Sequence, residues 1–135
     1  MTVFELIEEC LKQDGYQEVN FRVRDDVFVS SSTRLRQCGG TYVRICPGST
    51  LSQSLLSTLL CDSHAFDETS IVDKLGNQLR ICGFRRGRFT VSFIDSACSL
   101  VISKSEDGCD PMPFQGGSIK EVVESCLRAL PEQAE

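Results

Sequence analysis

Eight cysteines, one histidine, several adjacent carboxylate pairs and a run of arginines are the residues in this chain of 135 with types suited to chemistry. Cys10, Cys38, Cys46, Cys61, Cys82, Cys98, Cys109 and Cys126 are scattered, with no CxxC and no paired zinc-ligand spacing. Cys10, Cys82 and Cys126 fall in apolar slots of periodic segments, where a reduced thiol behaves as a small hydrophobe. His64 has neither a cysteine nor a serine placed to make a nucleophile–base pair with it, and its polar surroundings predict an exposed or capping role. Glu8-Glu9, Asp25-Asp26 and Asp67-Glu68 sit in segments expected to be exposed, where carboxylates are solvated charge rather than an acid/base pair. Gly39-Gly40 and Gly116-Gly117 match neither phosphate-binding glycine pattern. No metal, cofactor or catalytic group is therefore expected.

The arginines stand apart. Arg80, Arg85, Arg86 and Arg88 fall within nine residues that contain no acid, on a chain whose fourteen basic and nineteen acidic residues leave a net charge of −5. That acidity excludes general nucleic-acid binding, which needs a basic surface to neutralise phosphates. One local positive patch on an acidic molecule is the expectation. A composition 41% hydrophobic and 24% charged is that of one globular domain over residues 1–135 rather than a disordered chain. No apolar run approaches the ~18 residues of a membrane span, and the N-terminal segment is acidic and amphipathic, so a cytoplasmic location is expected.

These residues must be held by elements whose boundaries can be read. Thr2 with Glu5, Thr50 with Gln53, and Ser118 with Glu121 are capping-box pairs that start helices. The first helix carries Val3, Phe4, Ile7, Cys10 and Leu11 on one stripe; the middle one carries Leu51, Leu55, Leu56, Leu59 and Leu60. The last carries Ile119, Val122, Val123, Cys126, Leu127 and Leu130, and Pro131 ends it. Val19, Phe21 and Val23 alternate with polar residues, Asp25-Asp26 turns the chain, and "VFVSSS" returns as a hairpin partner, followed by "TYVRI" as a third strand. Residues 61 to 70 read as a polar connection. "LRICGF", "RFTVSFI" and "CSLVISK" read as three antiparallel strands, and "EDGCDPMPFQGG" as a loop. The order predicts an α+β domain with the two terminal helices side by side on one face of the sheet.

Three stretches together resemble the profilins, small proteins that bind monomeric actin: "VFELIEECLKQDGYQEVNFRVRDDVFVSSS", "VRICPGSTLSQSLLSTLL" and "RFTVSFIDSACSLVISKSEDGCDPMPFQGGSIKEVVESCLRAL". The resemblance implies an antiparallel sheet of about six strands, with the terminal helices on one face and the middle helix on the other. It implies a cytoskeletal, monomeric protein that regulates actin assembly. An actin-facing surface would comprise Arg80, Ile81, Arg88, Thr90, Gln115, Gly117, Lys120, Glu121 and Ser125. Arg85, Arg86 and Arg88 would meet a phosphoinositide headgroup. In the family's proline-peptide groove Phe4, Ile7 and Phe28 take aromatic places and Ala129 and Glu135 the late ones; without a tryptophan in the chain, proline-rich partners are expected to bind weakly or not at all.

Two other readings fit the same elements. Size, acidity and amphipathic termini resemble a class I type III secretion chaperone, a dimer that holds an effector segment. A helix-flanked antiparallel sheet is also the architecture of a PAS-like regulatory module, which would need a ligand cavity.

Overall fold

The computed structural model describes residues 2–13, 16–35, 41–60, 67–92 and 97–130. His64, Cys38, Cys61, Gly39-Gly40, the turn at Asp95-Ser96, Pro131 and Glu135 lie outside them. The chain runs α1 (Val3–Gln13), β1 (Tyr16–Val23), β2 (Phe28–Leu35), β3 (Thr41–Gly48), α2 (Leu51–Leu60), α3 (Thr69–Ile81), β4 (Arg86–Val91), β5 (Cys98–Ser103), β6 (Met112–Gly116), α4 (Ile119–Ala129). The six strands form one antiparallel sheet in the order β3-β2-β1-β4-β5-β6.

The helix starts are those the capping pairs predict. Thr2 and Glu5 exchange backbone-to-side-chain bonds at 3.0 and 3.1 Å. Ser118 Oγ accepts from the Glu121 N–H at 3.2 Å, while the Glu121 carboxylate reaches back one residue further and accepts from the Gly117 N–H at 2.7 Å. Thr50 Oγ1 accepts from the Gln53 N–H, and Gln53 accepts from the Ser49 N–H, in the same manner. Each arrangement satisfies N–H groups that a helix start leaves orphaned.

One face of the sheet carries the core. Val19, Phe21, Val23, Phe28, Phe89, Leu100 and Ile102 are all buried, and the Phe21 and Phe89 rings meet at 5.6 Å between centroids. The terminal helices α1 and α4 touch each other on this face, and Cys98 Sγ, which points into the same layer, donates to Glu8 of α1 at 3.7 Å.

The expected position of the middle helix is corrected. α2 lies on the same face as the terminal helices, because Ser54 Oγ is 2.6 Å from the core-facing Ser30 Oγ and Thr58 donates to the Ser30 carbonyl. Leu51, Leu55 and Leu59 need an apolar surface. The opposite face offers Glu18, Asn20, Arg22, Ser31, Arg86 and Arg88 instead, and an antiparallel sheet tolerates water on one side.

Two further expectations are revised. "LRICGF" is not a strand: Leu79–Ile81 end a fourth helix, α3, which packs between α2 and α4, and Gly83 turns the chain at φ 84°. Within the stretch read as a loop, Met112–Gly116 pairs with β5 as an edge strand. Pro113 is tolerated there because an edge strand has one side on which no ladder donor is needed.

Candidate functional site

Strand alternation sends every second residue of the sheet to the bare face. In one row across the strands Pro47, Val29, Arg22, Arg86 and Ser103 are successive register partners; in the next, Ile45, Ser31, Asn20, Arg88, Val101 and Pro113. This face therefore mixes arginines with apolar side chains, and Ile45 is 65% exposed.

The arginine run divides in space. Arg80 lies over the Phe28 ring at 5.5 Å and donates to the Asp25 carbonyl, and Arg85 pairs with the Asp25 carboxylate at 3.4 Å. Both serve the β1–β2 turn. Arg86 and Arg88, two apart on β4, point out from the bare face. Arg86 donates to Asn20 Oδ1 at 3.3 Å and to the Glu106 carbonyl at 3.4 Å; Arg88 stands 3.6 Å from Glu18, and its Nε is buried without a hydrogen-bond partner. The three arginines assigned to a phosphoinositide thus do not converge, since Arg85 leaves in the opposite direction from its neighbour.

The residues assigned to an actin surface fall in three places. Arg88, Thr90 and Gln115 share the bare face, where the Thr90 and Ser99 hydroxyls are hydrogen-bonded. Gln115 also borders a shallow groove of about 320 Å³ that rounds the β6 edge to Glu121 and Ser125 of α4. Gly117 opens α4, and Lys120 is committed to Glu68 at 2.7 Å, a contact that raises the lysine pKa by hydrogen bond and charge. Arg80 and Ile81 lie at the C-terminal end of α3, away from the others. The proline-groove assignment is corrected: Phe4, Ile7 and Phe28 are 1%, 0% and 2% exposed, so they pack the core and offer no stacking surface.

Three of the described thiols are poorly set for nucleophilic work. Burial, with the Glu8 carboxylate next, pushes Cys98 up to about 11, and burial pushes Cys126 up to about 12. Cys109 is exposed, yet its hydrogen bond to Asp107 and that carboxylate's charge also raise it. Each shift lowers the thiolate fraction that a nucleophile needs. Asp107 itself is held at about 2, chiefly by the Ser105 hydroxyl and then by Cys109. Among the described residues no three His, Cys, Asp or Glu side chains gather as a metal ion would require, and no helix is long and apolar enough to cross a membrane.

Sequence reasoning missed Asn20, Arg22, Val29 and Ile45 as surface partners of the arginines. The available signal was the pair of apolar residues, Val29 and Ile45, at positions that the alternation sends outward. Compared with protein-family models, with characterised proteins and with solved structures, the chain matches none.

Proposed function

We propose that the chain is a non-catalytic protein-binding module that docks a partner on its bare sheet face, and that monomeric actin is that partner, with regulation of filament assembly as the outcome. The observation that carries this reading is the one-sided layering. Among the described residues four helices crowd one face and none covers the other, which has outward arginines at its centre and apolar residues beside them. An arginine-bearing face on an acidic molecule favours a partner with a complementary acidic surface. Contact through Arg88, Thr90 and Gln115 is the part of the resemblance that this face supports; Phe4, Ile7 and Phe28, the residues carried over for a proline-rich peptide, are buried.

Co-sedimentation and monomer pull-down with purified actin test the reading. Arg88→Glu should weaken binding by at least about tenfold, the loss expected when a contact worth ~1.4 kcal/mol is removed. Lys120→Glu should change it less, because Lys120 is already paired with Glu68. Actin that neither binds nor responds to Arg88→Glu would remove actin as the partner.

The same layering favours a second reading, the acidic secretion chaperone, because it differs from the two-sided arrangement that the profilin resemblance implies. Light scattering separates the two. A concentration-stable dimer that ignores actin favours the chaperone, and a monomer that binds actin favours the first reading.

A further inference from the structure

Between Ile45 and Arg86 the bare face is hollowed rather than flat. A groove of about 180 Å³ is lined by Asn20, Arg22, Val29, Ser31, Ile45 and Arg86, comparable in volume to a cavity of about 150 Å³ that holds a benzene ring. Its Ile45 end is apolar. Its other end is cationic in an unusual way: Arg22 and Arg86 are direct register partners on adjacent strands, an arrangement that costs stability when like charges face each other. Among the described residues no carboxylate lies within ion-pair distance of either arginine. One row away, the buried Nε of Arg88 adds a donor without an acceptor.

We infer that this groove receives an extended acidic segment of a protein partner, with one apolar side chain against Val29 and Ile45 and a carboxylate between Arg22 and Arg86. The inference rests on the binding-module reading and names what the partner must present. Neighbouring strands are about 4.8 Å apart and an extended chain advances about 3.3 Å per residue, with alternate side chains on one side. The carboxylate therefore belongs two or four residues from the apolar side chain. A bound carboxylate offsets the Arg22–Arg86 repulsion and gives a charged acceptor to two guanidinium groups that have no carboxylate partner among the described residues. A second copy of this chain is a poor occupant, since a two-fold contact with its axis through the groove would bring the arginines against their own symmetry mates.

The test selects from a displayed library of random peptides of about twelve residues against the folded, full-length protein, then measures the winners by fluorescence anisotropy. The expected winners carry Asp or Glu two or four positions from Leu, Ile, Met or Phe. Arg22→Glu and Arg86→Glu should each weaken them at least about tenfold, and Ile45→Asp should do so as well. Lys74→Glu, on the exposed side of α3, should leave them unchanged, and Asp→Asn or Glu→Gln peptides should bind as poorly as the arginine variants do. Winners without the acidic–apolar pattern, winners insensitive to Arg86→Glu and Ile45→Asp, or no enrichment over the starting library would each overturn the inference. So would full displacement by millimolar inorganic phosphate, which would mark a simple anion site, or dimerisation abolished by Arg86→Glu. If patterned peptides bind and actin does not, the groove stands and the actin assignment falls. If actin binds through Arg88 and no patterned peptide emerges, the groove inference alone falls.

Discussion

Gly87 lies between the two outward arginines of β4, and its missing side chain is what leaves room for the tip of the Phe21 ring. The two residues are register partners on β1 and β4. A Cβ added at Gly87 would stand 2.6 Å from both Cε1 and Cε2 of Phe21, and nearer still to Cζ. Carbon atoms pack best at about 3.5–4.0 Å, so the ring would have to retreat by ~1 Å or more. It has nowhere to go, because Phe21 is 0% exposed and the Phe89 ring is 5.6 Å away. Overpacking of this kind costs about 1–3 kcal/mol, and the depth of this overlap places Gly87→Ala near the upper end. For 135 residues, a loss of ~3 kcal/mol lowers the melting temperature by roughly 10 °C. Urea unfolding of Gly87→Ala, of Phe21→Leu and of the double variant measures the effect and its cause together. If the clash is with the ring, shortening Phe21 relieves it, and the double variant is at least ~1 kcal/mol more stable than the sum of the singles predicts. A Gly87→Ala protein within ~0.5 kcal/mol of the parent, or singles that simply add, would refute this packing and the outward registration of Arg86 and Arg88 that depends on it.

Gly76 gives a second glycine test with competing terms. Alanine gains about 1 kcal/mol of helix propensity in α3, but its Cβ would stand 2.9 Å from Leu51 Cβ and 3.1 Å from the Phe28 ring, so a net loss of ~1 kcal/mol is expected in thermal melts. Ser54→Ala should cost about 1–3 kcal/mol by chemical denaturation, because it leaves the buried Ser30 hydroxyl without its 2.6 Å partner and the Cys46 carbonyl without its 2.7 Å donor. The raised thiol pKa values set an alkaline limit: the neutral thiols of Cys98 and Cys126 contribute stability fully below the unfolded pKa near 9. That contribution is lost as pH climbs toward about 11 and 12. Denaturation midpoints should fall across that window, while iodoacetamide at pH 8 should label the exposed Cys109 long before Cys98 or Cys126; equal labelling of all three would contradict the burial.

What the sequence made legible follows from how strongly each element is signalled. α1, α2 and α4 have both a polar cap and an apolar stripe, so their starts could be placed to the residue. α3 has the stripe, in Ile71, Val72, Leu75 and Leu79, but no side chain caps its start: Glu68 occupies that position with φ 66° and makes no capping bond. Gly76-Asn77 in its middle imitates a turn. The glycine is there because α2 and Phe28 approach too closely for any side chain, a tertiary reason that no local pattern contains. β6 was hidden by Pro111 and Pro113, which exclude a central strand but not an edge one. The side of the sheet taken by α2 was equally non-local, since its stripe states that a face must be covered and not which face.

The site shows the same division between neighbours in sequence and neighbours in space. Four arginines within nine residues suggested one patch, yet a helix end and the period of a strand separate them: Arg80 and Arg85 close over the Asp25 turn while Arg86 and Arg88 face outward. The cationic surface that forms instead recruits Arg22 from β1, paired with Arg86 through a register that only the folded sheet defines. Folding gives Arg80 and Arg85 an acceptor from the Asp25 turn, and gives Arg86 only neutral oxygens, those of Asn20 and the Glu106 backbone. A charge stabilised by neutral acceptors beside a like charge stays available to a carboxylate from outside. That difference in partners, more than the number of arginines, is what the proposed docking on the bare face rests on.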